Sequence, residues 1–163
     1  MKLYIKQKVF SLKDRYNIFD EAGNPIFLVE SKFFSIGAKF HILDLNGNEL
    51  FYIQQKVLTF LAEYDIFKGQ THYAKIKKQF SFFKPKINVE SQYGSYMING
   101  EIFNMLFQIV CNNQVIGSVK KKWLSWGDTY ELEIFGQSDP AFFCCMVIAI
   151  DHSLHNDDGN HSF

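Results

Sequence analysis

The sequence predicts a mainly β protein in which about twelve antiparallel strands form a barrel around a hydrophobic C-terminal helix. Three observations lead to this prediction. A repeat of 22 to 24 residues runs along the chain, each repeat contains two segments of alternating polarity, and residues 141–150 are apolar without interruption. Alternation with a period of two is typical of strands that bury one face, and a fixed period of this length indicates a repeated structural unit.

Each repeat is marked by a lysine that precedes two mostly apolar residues and then serine or threonine. The marker lysines are Lys8, Lys32, Lys56, Lys78 and Lys122, at intervals of 24, 24, 22 and 44 residues. The last interval equals two units of 22, so we expect a sixth, degenerate unit near residues 99–111. Two strands in each of six units give about twelve strands.

Turn residues separate the alternating segments. Four residue pairs that tolerate a positive φ lie between them: Gly23-Asn24, Asn46-Gly47, Asn99-Gly100 and Asn112-Asn113. Such pairs predict tight hairpins. The segment 44–49 also resembles a calcium loop, but its glycine stands fourth rather than sixth and the twelfth position is not Glu. A hairpin turn is therefore the better interpretation.

The alternation also predicts which residues face the interior. Residues three and five places before the marker lysine, such as Ile53 and Phe51 before Lys56, are apolar and share one face. The fourth unit has Lys75 at such an inward position, and the fifth has Gly117. We expect a register slip or a β-bulge in these units.

The C-terminal segment predicts a helix that is buried on all sides. Asp139 is a candidate N-cap and Pro140 suits the first helical position. No polar stripe interrupts residues 141–150, as it would in a surface helix. A flat sheet covers one side of a helix, whereas a closed barrel of about a dozen strands covers every side. The alternative is a β-sandwich packed against an ordinary helix.

Composition restricts the classes of function. The 163 residues carry 17 basic and 17 acidic side chains, and Arg15 is the only arginine. Neither bulk attraction to nucleic acid nor sequence-specific readout of bases is expected. The chain contains no recognised nucleophile, phosphate-binding or metalloprotease motif, so we predict no catalytic residue, no cofactor and no metal site.

The predicted location is cytoplasmic. Three cysteines, two of them adjacent in the apolar helix, do not form a disulfide framework and suit a reducing compartment. The N-terminus lacks a signal-peptide pattern, and ten apolar residues are about half of a membrane-spanning helix. We expect one domain over residues 1–156 and a polar tail over residues 157–163.

A lysine-rich segment is the first candidate site. Between positions 68 and 89 the chain has no acidic residue, and Phe80, Phe82 and Phe83 lie among six lysines. These are Lys68, Lys75, Lys77, Lys78, Lys84 and Lys86. On a shared face they would attract anionic lipid headgroups, at about 1 kcal/mol per lysine near such a surface. The alternative is a solvated strand pair whose lysines prevent aggregation.

Three further clusters have simpler interpretations. The run 120–122 is three lysines, but alternation sends Lys121 to the opposite face. Several His and Asp residues crowd the C-terminus: His152, His155, Asp157, Asp158 and His161. Two histidines three residues apart suit a metal, but a frayed polar tail is the preferred interpretation. The aromatic residues Trp123, Trp126 and Tyr130 are expected to pack in the core or in a seam rather than to form a wedge.

The hairpin units 20–29 and 44–53, with their Asp-x-x-Gly-Asn turns, and the closing helix from Asp139 to His152 resemble the LURP-one-related family. That family belongs to the tubby-like C-terminal superfamily, which includes phospholipid scramblases. The resemblance implies a barrel around a hydrophobic helix, and tubby domains bind phosphoinositide headgroups. The proline-rich arm and cysteine cluster of scramblases are missing from this sequence.

We therefore predict a non-catalytic module that binds anionic lipid headgroups or a membrane surface, with a peripheral membrane location. The lysine-rich segment and the resemblance to a lipid-binding superfamily support this prediction. The alternative is a protein-interaction or regulatory domain that uses the outer face or the loops. An enzyme whose site carries no recognised motif is a third, weaker alternative.

Overall fold

Twelve antiparallel strands form a closed barrel in the part of the chain that the computed structural model describes, residues 1–6, 13–32, 36–124 and 127–157. The strands are β1 (Lys2–Lys6), β2 (Lys13–Phe19), β3 (Pro25–Lys32), β4 (Lys39–Leu43), β5 (Glu49–Gln55), β6 (Glu63–Lys68), β7 (Thr71–Gln79), β8 (Lys86–Ser91), β9 (Gly94–Glu101), β10 (Leu106–Cys111), β11 (Gln114–Leu124) and β12 (Gly127–Ile134). Each strand pairs with its neighbours in the chain, and β1 closes the barrel onto β12. The predicted barrel is confirmed.

The helix α1 (Pro140–Asp157) fills the barrel. Asp139 caps it, since its Oδ1 accepts hydrogen bonds from the backbone N–H groups of Ala141 at 3.0 Å and Phe142 at 3.4 Å. Every residue from 141 to 150 is at most 4% exposed. The predicted burial on all sides is confirmed. Burial also raises the pKa of the Cys144 and Cys145 thiols, which suits packing rather than redox chemistry.

The connections between strands fall into two sets at opposite ends of the barrel. The short turns at 20–24, 44–48, 69–70, 92–93 and 112–113 share one end, called here the hairpin end, with the start of α1. The described connections 36–38, 56–62, 80–85 and 102–105 share the other end, called the loop end. Near the hairpin end, the ring centres of Phe142 and Tyr73 are 4.9 Å apart. Near the loop end, those of His152 and Phe40 are 5.2 Å apart. The helix therefore runs from the hairpin end to the loop end.

The first two turns have the same construction. In each, an aspartate Oδ1 accepts two backbone N–H bonds, from Ala22 and Asn24 to Asp20 and from Asn46 and Asn48 to Asp44, at 2.8 to 2.9 Å. Hydrogen bonds from Asn24 and Asn48 hold the pKa of Asp20 and Asp44, respectively, below the usual value. The carboxylates thus close hairpins, as the turn interpretation predicted.

The substitution Gly47→Val is expected to destabilise the protein by about 1–2 kcal/mol. Gly47 has φ of 86°, and a Cβ there would meet no atom within 4 Å, so the cost is backbone strain alone. Urea denaturation measures the loss, and Gly47→Asn is the control because asparagine tolerates this φ. Equal urea midpoints for the Gly47→Val variant and the wild type would contradict the positive φ assigned to Gly47.

Four hairpins contain a β-bulge at the equivalent place. The unpaired residue is Ile26 in β3, Leu50 in β5, Tyr73 in β7 and Ile116 in β11. All four are partly buried against the core. The marker lysines Lys32, Lys56 and Lys122 follow their bulges by six residues, whereas Lys78 follows Tyr73 by five.

This one-residue difference explains the irregular fourth unit. It buries Ala74 and Ile76 inside the barrel, so Lys75 points outward and not inward as its spacing predicted. The bulge that was expected there is present, and Lys78 lies on the inward side of β7. In the fifth unit Gly117 keeps the inward register. An added Cβ would lie 3.0 Å from Phe143 Cε1, so the missing side chain makes room for the helix.

The prediction of a tight turn at Asn99-Gly100 is wrong. Both residues belong to β9, and the connection to β10 is a 3₁₀ turn over Ile102–Asn104 followed by Met105 at φ of 51°. Gly100 is needed for close backbone contact, because a Cβ would lie 2.6 Å from the Leu106 carbonyl oxygen. The glycine is therefore explained by the close approach of β9 and β10 and not by a turn.

Candidate functional site

Two of the six candidate lysines have charges that are compensated by neighbouring carboxylates. Lys68 lies at the hairpin end, with Nζ 3.5 Å from Asp139 Oδ2 and 5.2 Å from the centre of the Phe51 ring. Lys75 lies on the outer face, with Nζ 3.2 Å from Glu63 Oε1. Neither contributes strongly to a positive surface.

The other four lysines lie together near the loop end, on β7, β8 and the connection between them. Lys77, Lys84 and Lys86 are exposed, and within the described part of the chain none of the three forms an ion pair. Lys77 is opposite Asn88 and Lys86 is opposite Gln79, so the two lysines are diagonal neighbours on the outer face. Lys78 is half-buried, and this burial lowers its pKa.

Three phenylalanines project from the same connection. Phe80, Phe82 and Phe83 are 64%, 85% and 96% exposed. The rings of Phe80 and Phe82 meet edge to face at 5.0 Å, and neither belongs to the core. Residues 77–86 therefore form one surface element, the Phe-Lys loop, in which exposed aromatic rings stand between lysines.

A groove lies beside this loop on the wall of the barrel. It has a volume of about 520 Å³, lies along β8 and β9, and is lined by Lys84 and Lys86 together with Asn88, Asn99 and Glu90. Ammonium and amide groups donate hydrogen bonds to anionic oxygens. The groove thus offers donors directly beside the exposed phenylalanines.

The second lysine run does not form a positive patch. Lys120 and Lys122 reach Glu131 at 2.9 and 2.6 Å, and Lys121 pairs with Asp128 at 2.6 Å. Burial alone raises the pKa of Glu131, but the two lysine ammonium groups outweigh it and bring the pKa to about 2. The prediction that Lys121 faces away from its neighbours is confirmed.

The three aromatic residues near this run have different environments. Tyr130 is buried, as expected, but Trp123 is 80% exposed, so its predicted core or seam packing is wrong. On one side of β12 the pairing with β1 ends at Thr129, opposite Lys6. On the other side Trp123 pairs with Asp128, one residue further on, so Trp123 projects beyond the part of the wall that β1 forms. Trp126 lies outside the described residues.

Asp151 and His152 belong to α1 and form part of a buried cluster at the loop end. Asp151 and His152 are 8% and 3% exposed. Tyr130 Oη donates to Asp151 Oδ1 at 2.6 Å, and Tyr64 Oη lies 2.7 Å from His152 Nδ1. Sequence reasoning missed both tyrosine partners, although each occupies an inward position near the loop end, where the helix becomes polar.

Burial dominates the titration of this cluster. It raises the pKa of Asp151 and lowers that of His152 to about 4. His155 Nδ1 lies 3.5 Å from Asp151 Oδ1, and both residues line a cavity of about 330 Å³ with Lys121 and Tyr130. Among the described residues, no three His, Cys, Asp or Glu side chains are arranged to hold a metal ion. Asp158 and His161 lie outside those residues.

The protein is expected to lose stability as the pH falls from about 6.5 towards 4. In the unfolded chain His152 has a pKa near 6.5, above its folded value of about 4, so protons favour unfolding in this window. The difference between the two pKa values of His152 corresponds to roughly 3 kcal/mol of unfolding free energy. Asp151, whose pKa is raised in the folded protein, offsets part of this loss at the acidic end of the window. Urea denaturation at several pH values measures the slope.

The matched variant for this pH test is His152→Asn. Asparagine keeps a polar atom towards Tyr64 but does not titrate. Its stability should change less between pH 7 and pH 5 than that of the wild type. Identical slopes in the two proteins would contradict the assignment of the acid sensitivity to His152.

The fold defines a class of protein, a twelve-stranded antiparallel barrel closed around a hydrophobic helix. Within this class the chain belongs to the LURP-one-related family, whose model matches residues 1–151. The chain is similar to the uncharacterised protein YxjI of Bacillus subtilis (strain 168), with 35% identity over 163 residues that cover 100% of this chain and 99% of the relative. The predicted family is confirmed.

A solved structure supports the architecture. An X-ray structure of an Arabidopsis thaliana protein superposes with a TM-score of 0.69 and 15% identity, covering 93% of this chain and 89% of that one. This similarity concerns the fold alone. Neither relative's name states a reaction, a ligand or a partner. Among the described residues, no helix is long and apolar enough to cross a membrane.

Proposed function

We propose that the protein is a non-catalytic module that binds the surface of membranes containing anionic lipid. The observation that carries this proposal is the Phe-Lys loop, where Phe82 and Phe83 are almost fully exposed next to Lys84 and Lys86. Exposed aromatic rings enter the interfacial region of a bilayer, and nearby lysines attract anionic headgroups. The two groups act on the same surface at once.

The adjacent groove suits a lipid headgroup. Lys84 and Lys86 line it together with two asparagines, so a phosphate or carboxylate oxygen in the groove would meet several donors. Glu90 lines the same groove, opposite Lys75 in the pairing of β7 with β8, and would disfavour an anion placed close to it. A headgroup bound near Lys84 and Lys86 would place its acyl chains beside the phenylalanines.

Binding should depend on local rather than overall charge. The whole chain has 17 basic and 17 acidic residues and is neutral, so long-range attraction is weak. Exposed charges are screened beyond about 8 Å at physiological ionic strength. We expect binding that weakens from low to physiological salt and a peripheral location on the cytoplasmic, anionic face of a membrane.

Vesicle flotation tests the proposal. The wild type should float with phosphatidylcholine vesicles that contain phosphatidylserine, and less with phosphatidylcholine alone. Lys84→Gln with Lys86→Gln should reduce flotation. The matched double variant Lys2→Gln with Lys68→Gln removes the same charge near the hairpin end and should not.

A wild type that stays at the bottom of the gradient with anionic vesicles at low salt would overturn the proposal. The alternative of a protein-interaction or regulatory domain would then be the better one. Equal losses in the two double variants would show that the Phe-Lys loop is not the binding surface.

A further inference from the structure

The exposed apolar side chains of the described residues are concentrated at the loop end. The six with the highest exposure, from 80% to 103%, all lie there: Ile36, Leu58, Phe60, Phe82, Phe83 and Trp123. They come from four different connections or strand ends around the rim. Exposed apolar groups collected on one side of a molecule indicate an interaction surface.

The sequence repeat accounts for part of this distribution. In the described units, the apolar residues that follow a marker lysine lie where a strand ends at the loop end, as Leu58 does after Lys56 and Trp123 does after Lys122. Their exposure shows that the barrel core does not need them. A pattern that leaves its apolar members in solvent in each described unit is better explained by an external contact than by folding.

Leu58 adds a second, independent observation. It has φ of 62°, which is unfavourable for a leucine, and its side chain is fully exposed. Such strain persists only where the surrounding structure imposes it, and it is more frequent at functional positions. The connection between β5 and β6 therefore directs a large apolar side chain outward at a cost in backbone energy.

Charge is also divided between the two ends. The described loop-end connections, 36–38, 56–62, 80–85 and 102–105, contain two lysines and no acidic residue. Lys84 is exposed, whereas Lys56 is paired with Glu63 at 3.0 Å. The hairpin-end connections, including 135–139, contain four acidic residues and no lysine or arginine: Asp20, Glu21, Asp44 and Asp139. An anionic surface would therefore be repelled by the hairpin end and attracted by the loop end at Lys84 and the neighbouring Lys86.

We infer that the loop end docks end-on onto an anionic bilayer, with the barrel axis along the membrane normal and several loops inserted at the headgroup level. This inference rests on the proposed function and specifies its geometry. The apolar side chains come from separate loops with lysines between them. That arrangement suits a fluid interface better than the continuous strip that a partner helix or strand would need.

Tryptophan fluorescence tests the geometry directly. Trp123 and Trp126 are the two tryptophans of the chain, and Trp126→Phe leaves Trp123 as the single probe. On anionic vesicles its emission should shift to the blue and be quenched by lipids brominated on their acyl chains. Flotation without shift or quenching would leave membrane binding intact and overturn end-on docking.

A pair of variants outside the Phe-Lys loop provides the second readout in the wild-type tryptophan background. Leu58→Asn with Phe60→Gln should weaken vesicle binding about tenfold, since two apolar groups are lost from the interface. Leu45→Asn with Tyr93→Gln, at exposed hairpin-end positions, should leave binding unchanged. Equal binding of both variants would overturn the inference, and no binding of the wild type would overturn it together with the proposed function.

Discussion

Val147→Asp is expected to abolish folding. Val147 is 0% exposed in the middle of α1, where the residues from 141 to 150 are enclosed by the barrel. An aspartate there would be a buried charge without a partner, at a cost of more than about 5 kcal/mol, which is comparable to the whole stability of an ordinary domain. Circular dichroism and thermal denaturation of the purified variant measure the outcome.

The control for this experiment is Val115→Asp. Val115 is 41% exposed at the start of β11, so the same change in chemistry leaves the charge hydrated and the variant should fold. A Val147→Asp protein that melts cooperatively like the control would contradict the enclosed helix.

Gly100→Ala is expected to cost about 4 kcal/mol. The φ of 143° is unfavourable for alanine, and the new Cβ would lie 2.6 Å from the Leu106 oxygen and 2.8 Å from the Phe107 Cα. Both contacts are to backbone atoms, so β9 and β10 would have to separate. Chemical denaturation measures the loss.

Gly23→Ala is the matched control, since Gly23 also has a positive φ, 82°, but an added Cβ would meet no atom within 4 Å. Only the strain of the backbone is then added, about 1–2 kcal/mol. Equal losses at Gly100 and Gly23 would show that close approach of the strands does not limit position 100.

Much of the architecture could be predicted because it depends on local, repeated signals. Strand alternation, the paired turns at Asp20 and Asp44 and the uninterrupted apolar stretch at 141–150 each follow from residues close together in the sequence. The requirement to bury the helix on every side then selects a closed barrel. Each step needs no knowledge of distant contacts.

The predictions that were wrong concern residues whose positions depend on contacts between strands. The Asn99-Gly100 pair has turn chemistry, but the glycine is needed because β10 passes close to it. Lys75 was predicted to point inward, but the bulge at Tyr73 shifts the alternation of β7 by one residue relative to the marker lysine, so Lys75 points outward. Trp123 was predicted to pack from its apolar character, but its hairpin extends past the pairing with β1.

The candidate site could be located only in part. The Phe-Lys loop was visible as lysines interleaved with phenylalanines, but pairing of Lys75 with Glu63 and of Lys68 with Asp139 depends on residues brought together by the barrel. The acidic character of the hairpin end was present in the sequence as a signal, because the turns at 20–24 and 44–48 hold acidic residues and no lysine or arginine. Net charge alone hides this acidic character.

Amide hydrogen exchange with and without anionic vesicles tests the central claim, that the loop end is the membrane-binding surface. Bound vesicles should slow exchange in the described loop-end connections 56–62, 80–85 and 102–105, and leave the hairpin-end turns 20–24 and 44–48 unchanged. Protection in the hairpin-end turns, or no protection in the loop-end connections when the protein is bound, would contradict the account.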